Sequence, residues 1–446
     1  MTKKLSRFDI LALALGSIIG WGSFTLPGSK FLNESGIIST AIGFLLGGIA
    51  ITFIQKGYHV MMRSHFEDGG EFSYTYTTMG KPHGFLVGWS LILAYLSMVP
   101  LNATAFVLVL KRIFGEGLNY IYLYEIAGYP VYLSEILIAS AIIILFAFIN
   151  IKGLKVSSRV QNVMIMIMMA NIVVIFTYMI FTTDLTQMQN TYFTGYTLNF
   201  SQIAKVFAVI PFLFVGFDVI PQMATDLGFE QGKATKIAII AIFAGVVFYN
   251  LNNIITGMVY APGEAKELEW ALGTAVLNHM GTIGFGLLAL SLAGAVAGGI
   301  NGFTMAGSKL AGAMATYGFL PEKLSLVNKQ GVFHHGVKFI AAVSLLAPWF
   351  GRAVIIYIVD MSSLLAAITY FYVCYIAAKS VKGMEKIQAT IGAAVSLSFI
   401  ALLVIPGSPG RLSGGALIAL AVWTVLGLIY YTQHRSAKDG PDIEVS

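Results

Sequence analysis

The sequence predicts an all-α polytopic membrane protein with twelve transmembrane helices, the first and sixth of them broken. Three observations lead there. The chain has 446 residues, 57% hydrophobic and 11% charged, with a mean hydropathy of +0.79, whereas soluble chains carry about 25% charged residues. Apolar stretches long enough to cross a bilayer recur along its whole length. Two of them are interrupted by Gly, Ser and Pro inside what otherwise reads as buried helix: "GSIIGWGSFTLP" at 16–27 and "PFLFVGFDVIP" at 211–221.

The spans fall at roughly 8–29, 36–60, 84–112, 130–150, 160–182, 201–228, 237–260, 281–316, 337–350, 353–378, 388–405 and 413–432. The ninth is short and the eighth long. The basic start "MTKKLSRF" runs into a stretch that continues through Gly and Pro, so it reads as a retained first helix rather than a signal peptide. With the N-terminus inside, 20 of the 27 Lys and Arg fall in inner connections, from Lys3, Lys4 and Arg7 to Arg435 and Lys438. That asymmetry puts both termini in the cytoplasm. The net charge of +6 therefore reports topology, not a nucleic-acid surface. Cys374 is the only cysteine, so no intrachain disulfide forms and no Cys-based metal site is expected. The tail 435–446 is polar and expected to be disordered.

The breaks carry the functional reading. In a bilayer every backbone N–H and C=O needs a partner, so an interrupted helix is tolerated only where it lines a cavity or holds a ligand. The amides freed at a half-helix N-terminus suit a carboxylate. The carbonyls freed at the preceding C-terminus suit an ammonium group. Small residues also serve simply to let helices pack closely, and for a lone glycine that reading would win. Here Gly16, Ser17, Gly20, Gly22 and Ser23 cluster, and a second break holds Pro211, Gly216, Asp218 and Pro221. Breaks five spans apart point to an inverted-repeat transporter with its site near the midplane.

At these residues the chain resembles the amino acid–polyamine–organocation permeases, which share the five-plus-five inverted-repeat fold of the leucine transporter. The motifs are "GSIIGWGSFTLPG" on the first span, "GGEFSYTYTTMGKPHGFLVGW" at 69–89, "FLFVGFD" on the sixth, and "TMAGSKLAGAMATYGFLPEKLSLVNKQG" at 304–331. The resemblance implies a first repeat over 1–182, a second over 183–380 and two further spans over 381–434. It implies an amino acid substrate whose carboxylate meets the amides of Gly20, Trp21 and Gly22. The carbonyls of Ile18 and Val215 would receive its amino group, Phe212 would close over it, and Phe303 and Asn102 would face its side chain. Ser17, Phe214 and Gly216 complete the candidate set. One departure stands out: many relatives have Ser where this chain has Trp21, and the indole either narrows the pocket or turns into packing.

Coupling is read by the same resemblance. Some proton-coupled relatives carry a lysine about two turns beyond the pair matching Gln161-Asn162, and Met168 stands there. Sodium-coupled relatives use Ser or Thr where this chain has Gly298 and Gly299. Both devices are missing, which favours exchange over proton symport. Asp218 has two readings, a proton carrier or a cap on the second half of the sixth helix.

Other classes fit less well. The seven histidines sit near span ends or in loops, and no HExxH or GxSxG motif occurs, which argues against a membrane enzyme. No TVGYG-like filter marks a channel. An amino-acid-sensing receptor would differ only in failing to move its ligand. The apolar candidates Phe212, Phe214 and Phe303 favour a neutral or hydrophobic amino acid over a polyamine. No metal or cofactor is expected. The expected setting is the plasma (inner) membrane, as a monomer or homodimer.

Overall fold

The computed structural model describes residues 4–126, 129–268 and 270–434. Lys3, Arg435, Lys438 and the tail, used above for topology, lie outside them.

Helix α1 spans Arg7–Ile18 and is opened by a reciprocal cap: the Asp9 amide donates to Ser6 Oγ and the Ser6 amide to Asp9 Oδ2. It stops at Ile19, whose backbone leaves the helical region at φ −90°, ψ 85°. A short helix α2, Gly22–Leu26, resumes the direction and widens into a π-turn over Pro27–Leu32. Pro27 explains the widening, because it has no N–H to give the carbonyl four residues back. The carbonyls left over are met from elsewhere: Asn252 Nδ2 donates to Ser23 O at 2.8 Å and Trp270 Nε1 to Phe24 O at 2.9 Å.

The chain continues as α3 (Asn33–Ser64), α4 (Glu71–Met79), α5 (Lys81–Phe114), α6 (Leu133–Ile151) and α7 (Leu154–Thr182). The sixth span is in pieces: α8 (Phe200–Ala208), α9 (Ile210–Leu213), a turn, and α10 (Val219–Gln222). Then come α11 (Gln231–Gly257), α12 (Ala271–Thr316), α13 (His334–Leu346), α14 (Gly351–Ser380), α15 (Gly383–Val404) and α16 (Gly414–His434). α12 has 46 residues because a ten-residue approach helix joins the expected eighth span at Gly281, where φ turns positive.

Among the described residues, nine helical stretches are long and apolar enough to cross a membrane. The expected spans that miss this measure are the two broken ones and the ninth, where α13 has 13 residues before a 3₁₀ turn at Pro348. An all-α polytopic architecture follows. Its strand structure is a hairpin, Tyr122–Ile126 with Tyr129–Tyr132, between α5 and α6, which the search for apolar spans passed over. An isolated bridge also joins Leu5 to Leu227.

The core gathers around α1, which packs against α7, α11 and α12. Gly16 and Gly298 let α1 and α12 close to backbone contact: a Cβ on Gly298 would lie 2.9 Å from the Gly16 Cα.

Candidate functional site

The two breaks meet. Gly216 has φ +131°, and a Cβ there would lie 2.6 Å from the carbonyl carbon of Ser17 and 2.8 Å from the Ile18 amide nitrogen. Only a residue without a side chain permits both the backbone angle and the approach. Asp218 holds the turn, its Oδ1 accepting the Gly216 amide at 2.6 Å. Tyr95 of α5 donates to the Asp218 carbonyl at 3.1 Å and to its Oδ2 at 3.3 Å. Asp218 is fully buried and makes no side-chain cap on α10. It thus reaches back into the break, instead of forward onto the helix that the capping reading assigned to it.

Beside this junction lies a narrow cavity of about 30 Å³ lined by Ser17, Ile18, Gly20, Trp21, Gly22, Asn102, Phe212, Val215 and Phe303, nine of the eleven sequence candidates. The space is narrow, with room for a few waters at most. Phe214 is elsewhere: its ring packs against Phe44 and Tyr249, with centroids 6.5 and 6.2 Å away. Gly216 lies behind the lining, against Ser17.

The polar atoms facing the cavity are few. Asn102 Nδ2 is used by Met98 O at 2.9 Å, while its Oδ1 is buried without a partner and faces Gly20, 3.6 Å from where a Cβ would stand. Trp21 Nε1 is likewise buried and unpartnered. An unmet buried polar group costs about 1–3 kcal/mol, which a ligand able to pair with it would relieve. The Ile18 carbonyl, expected to be free for an ammonium group, already accepts from the Gly20 amide at 3.2 Å and Tyr249 Oη at 3.3 Å.

Sequence reasoning missed Tyr249, along with Met98, Leu101 and Leu213, which also line the cavity. The signal for Tyr249 was present: a tyrosine in an apolar span must place its hydroxyl somewhere. Met98, Leu101 and Leu213 look like any other core residue.

Trp21 resolves its two readings by doing both. It lines the cavity, and its ring stacks under the Arg352 guanidinium, 4.6 Å from the centroid. Arg352 also donates to Thr104 Oγ1 at 3.0 Å. Beyond Trp21, Phe212 and Leu101, which line both spaces, a vestibule of about 240 Å³ opens, with Lys30, Asp360 and Arg411 on its walls.

The other end, where α1 begins, is closed by an ionic clamp. Lys309 on α12 pairs with Asp68 at 2.8 Å and with Asp226, and donates to Thr225 Oγ1 at 3.1 Å. Leu5 continues the closure, its amide donating to Asp226 O and its carbonyl accepting from the Gly228 amide. Next to the clamp Glu71, at the start of α4, is fully buried, with Gln222 Nε2 donating to its Oε2 at 2.6 Å. Burial first, then the nearby Asp218 carboxyl, pushes Glu71 up to about 8.

The coupling positions are packed. Met168 is fully buried and faces Gly294 of α12. Gly298 faces Gly16, and Gly299 faces Asn102. Gln161 fills the space between α1 and α12, donating to Ala12 O at 3.1 Å and accepting from Asn301 at 2.9 Å.

Broken spans thus meet beside a narrow central cavity, with a vestibule on one side and a clamp on the other, an arrangement that fits a membrane permease. A family model described as amino acid permease matches residues 5–430, and the chain belongs to that family of transporters. It is 24% identical over 387 residues to the branched-chain amino acid permease BcaP of Lactococcus lactis, covering 81% of this chain and 79% of that one. It is 25% identical over 264 residues to the methylthioribose transporter of Bacillus subtilis, covering 58% of this chain and 56% of that one. It is 23% identical over 352 residues to a putative arginine/ornithine antiporter of Escherichia coli, at 74% and 71% coverage. The chain thus spans little more than half the length of the methylthioribose transporter.

Proposed function

We infer that the protein carries a neutral amino acid with an apolar side chain across the plasma membrane by alternating access, and that it works by exchange. The observation that carries this is the convergence of nine candidate residues on one cavity at the junction of the two breaks. The lining is neutral throughout, which favours a substrate whose side chain bears no charge. In this reading the amides of Trp21 and Gly22 take the substrate carboxylate, joined by the Gly20 amide once it gives up its bond to Ile18 O. The Val215 carbonyl takes the ammonium group, with Ile18 O as a partly used second acceptor. Phe212 and Trp21 form the lid towards the vestibule, and Asn102 Oδ1 meets a donor of the substrate. The clamp end faces the cytoplasm, with both termini.

The exchange assignment rests on the packed coupling positions. With Met168 buried in α12's surface and Gly298 against Gly16, neither place offers a titrating or ion-binding group. Asp218 serves as the buried staple of the sixth-span break. The two inverted repeats, 1–182 and 183–380, each contribute one break to the site. The branched-chain permease among the relatives supports the substrate class, and the antiporter supports the mode.

Equilibrium binding to the purified protein in detergent tests the substrate class. Labelled leucine or a similar apolar amino acid should bind and be displaced by its neighbours in size, with arginine a poor competitor. Tight binding of arginine with no competition from leucine would sink the assignment.

A further inference from the structure

The transport reading makes no use of Glu71, yet it is fully buried, and among the described residues its carboxyl meets only the neutral side chains of Gln222 and Tyr58. Its neighbour Gln222 leaves Oε1 unmet. Across from them, Gln55 and Tyr58 lie one turn apart on α3, and Tyr370 lies on α14. All three are fully buried; the Tyr58 hydroxyl is Glu71's neighbour, and among the described residues Gln55 and Tyr370 have unpartnered polar side-chain atoms. The Tyr58 ring is 6.2 Å from Tyr370 and 5.4 Å from Phe217, the residue before Asp218. Buried polar side chains without charge therefore lie between the sixth-span break and Glu71 at the clamp end. Among the described residues neither Glu71 nor Asp218 has an ion-pair partner, and the nearby Lys309 is committed to Asp68 and Asp226. The groups whose charge or polarity bears on Glu71 are Asp218, Tyr58, Tyr74, Tyr95, Tyr370 and Gln222, with Glu67 on the far side of Tyr74 through their shared influence on that hydroxyl.

We propose that Glu71 is a proton-binding site of the transport cycle, protonated while the clamp end is closed and emptied when that end opens to water. In the step itself the carboxylic O–H bond breaks, water takes the proton, and the carboxylate is left hydrated. Two buried carboxylates without a cation cannot both ionise cheaply, so one proton must stay. The sign follows from linkage. Closed, Glu71 holds its proton up to about pH 8; opened to water it returns to about 4.3. Closing therefore takes up a proton throughout that interval, is favoured as pH falls, and loses this support as pH rises through about 8.

The proposal rests on the transport reading and not on the choice of substrate. In proteoliposomes loaded with unlabelled amino acids, the exchange rate is followed as internal pH is stepped between about 5 and 8. The wild-type rate should change severalfold, and Glu71→Gln should abolish that response. An unaltered pH profile in E71Q, or a profile lost only in Asp218→Asn, overturns the proposal. So does a pH-independent wild-type rate that responds to sodium instead. Should E71Q not fold, infrared difference spectroscopy of the wild type replaces it: a buried protonated carboxyl band must persist at neutral pH and vanish as pH rises past about 8. Absence of that band overturns the proposal. Failure of the wild type to exchange any amino acid would sink the transport reading while leaving the infrared test in force.

Discussion

A methyl group on Gly216 would stand 2.6 Å from the carbonyl carbon of Ser17. The two broken spans thus touch backbone to backbone, and the candidate cavity is the space their ends leave. Gly216→Ala should be severely damaging. The φ of +131° alone costs roughly 1–3 kcal/mol for a residue with a Cβ, and the collision adds to it. The expected result is a lower unfolding temperature in detergent and no transport. A variant of normal stability and activity would show that the breaks need not touch.

Gly298 decides between two kinds of absence. If it were small merely because no ion is bound, a hydroxyl there would be tolerated and would offer a ligand. The structure gives another reason, since Gly16 Cα lies 2.9 Å from any Cβ at 298. Gly298→Ser should therefore lose activity without acquiring sodium dependence. Sodium-stimulated uptake in that variant would contradict the packing account.

Phe212 borders both the cavity and the vestibule. Its removal deletes apolar contact worth about 2 kcal/mol, so Phe212→Ala should raise KM about 10- to 30-fold. Unchanged uptake kinetics would remove Phe212 from the lid.

Lys309 holds two carboxylates at once. Lys309→Met leaves Asp68 and Asp226 facing each other unpaired, so it should cost more stability than removing one acid as well. The single variant should lose about 1–3 kcal/mol, discounted from a fully buried pair because Asp68 and Asp226 keep 26% and 19% side-chain exposure. Lys309→Met with Asp68→Asn should recover part of that loss. Equal losses in the two variants would mean that the clamp is not a coupled unit.

What could be read from sequence follows a simple division. The breaks at 16–27 and 211–221 were legible because Gly, Pro and Asp disrupt an apolar helical period locally, and bilayer physics leaves few reasons for that. The side-chain directions were not. Phe212 and Phe214 are two residues apart, and one faces the cavity while the other packs on Phe44 and Tyr249: side chains two apart at the end of the short helix Ile210–Leu213 point to different sides, and so short a helix has no apolar period to tell which side is which. The clamp was invisible for a different reason. Asp68, Asp226 and Lys309 lie on separate segments, and a single sequence records charges but not their pairing. Glu71 sat in plain view within "GGEFSYTY", where a carboxyl at a helix start reads as an ordinary first-turn acid. Only the structure shows that it is fully buried.

The central claim is exchange of neutral amino acids at the junction of the two breaks. It is tested most directly by following uptake of labelled leucine into proteoliposomes, either preloaded with unlabelled neutral amino acids or empty, each with and without a proton gradient. The account predicts uptake that requires internal amino acid and does not need the gradient to drive it. Concentrative uptake into empty vesicles that collapses with a protonophore would contradict it.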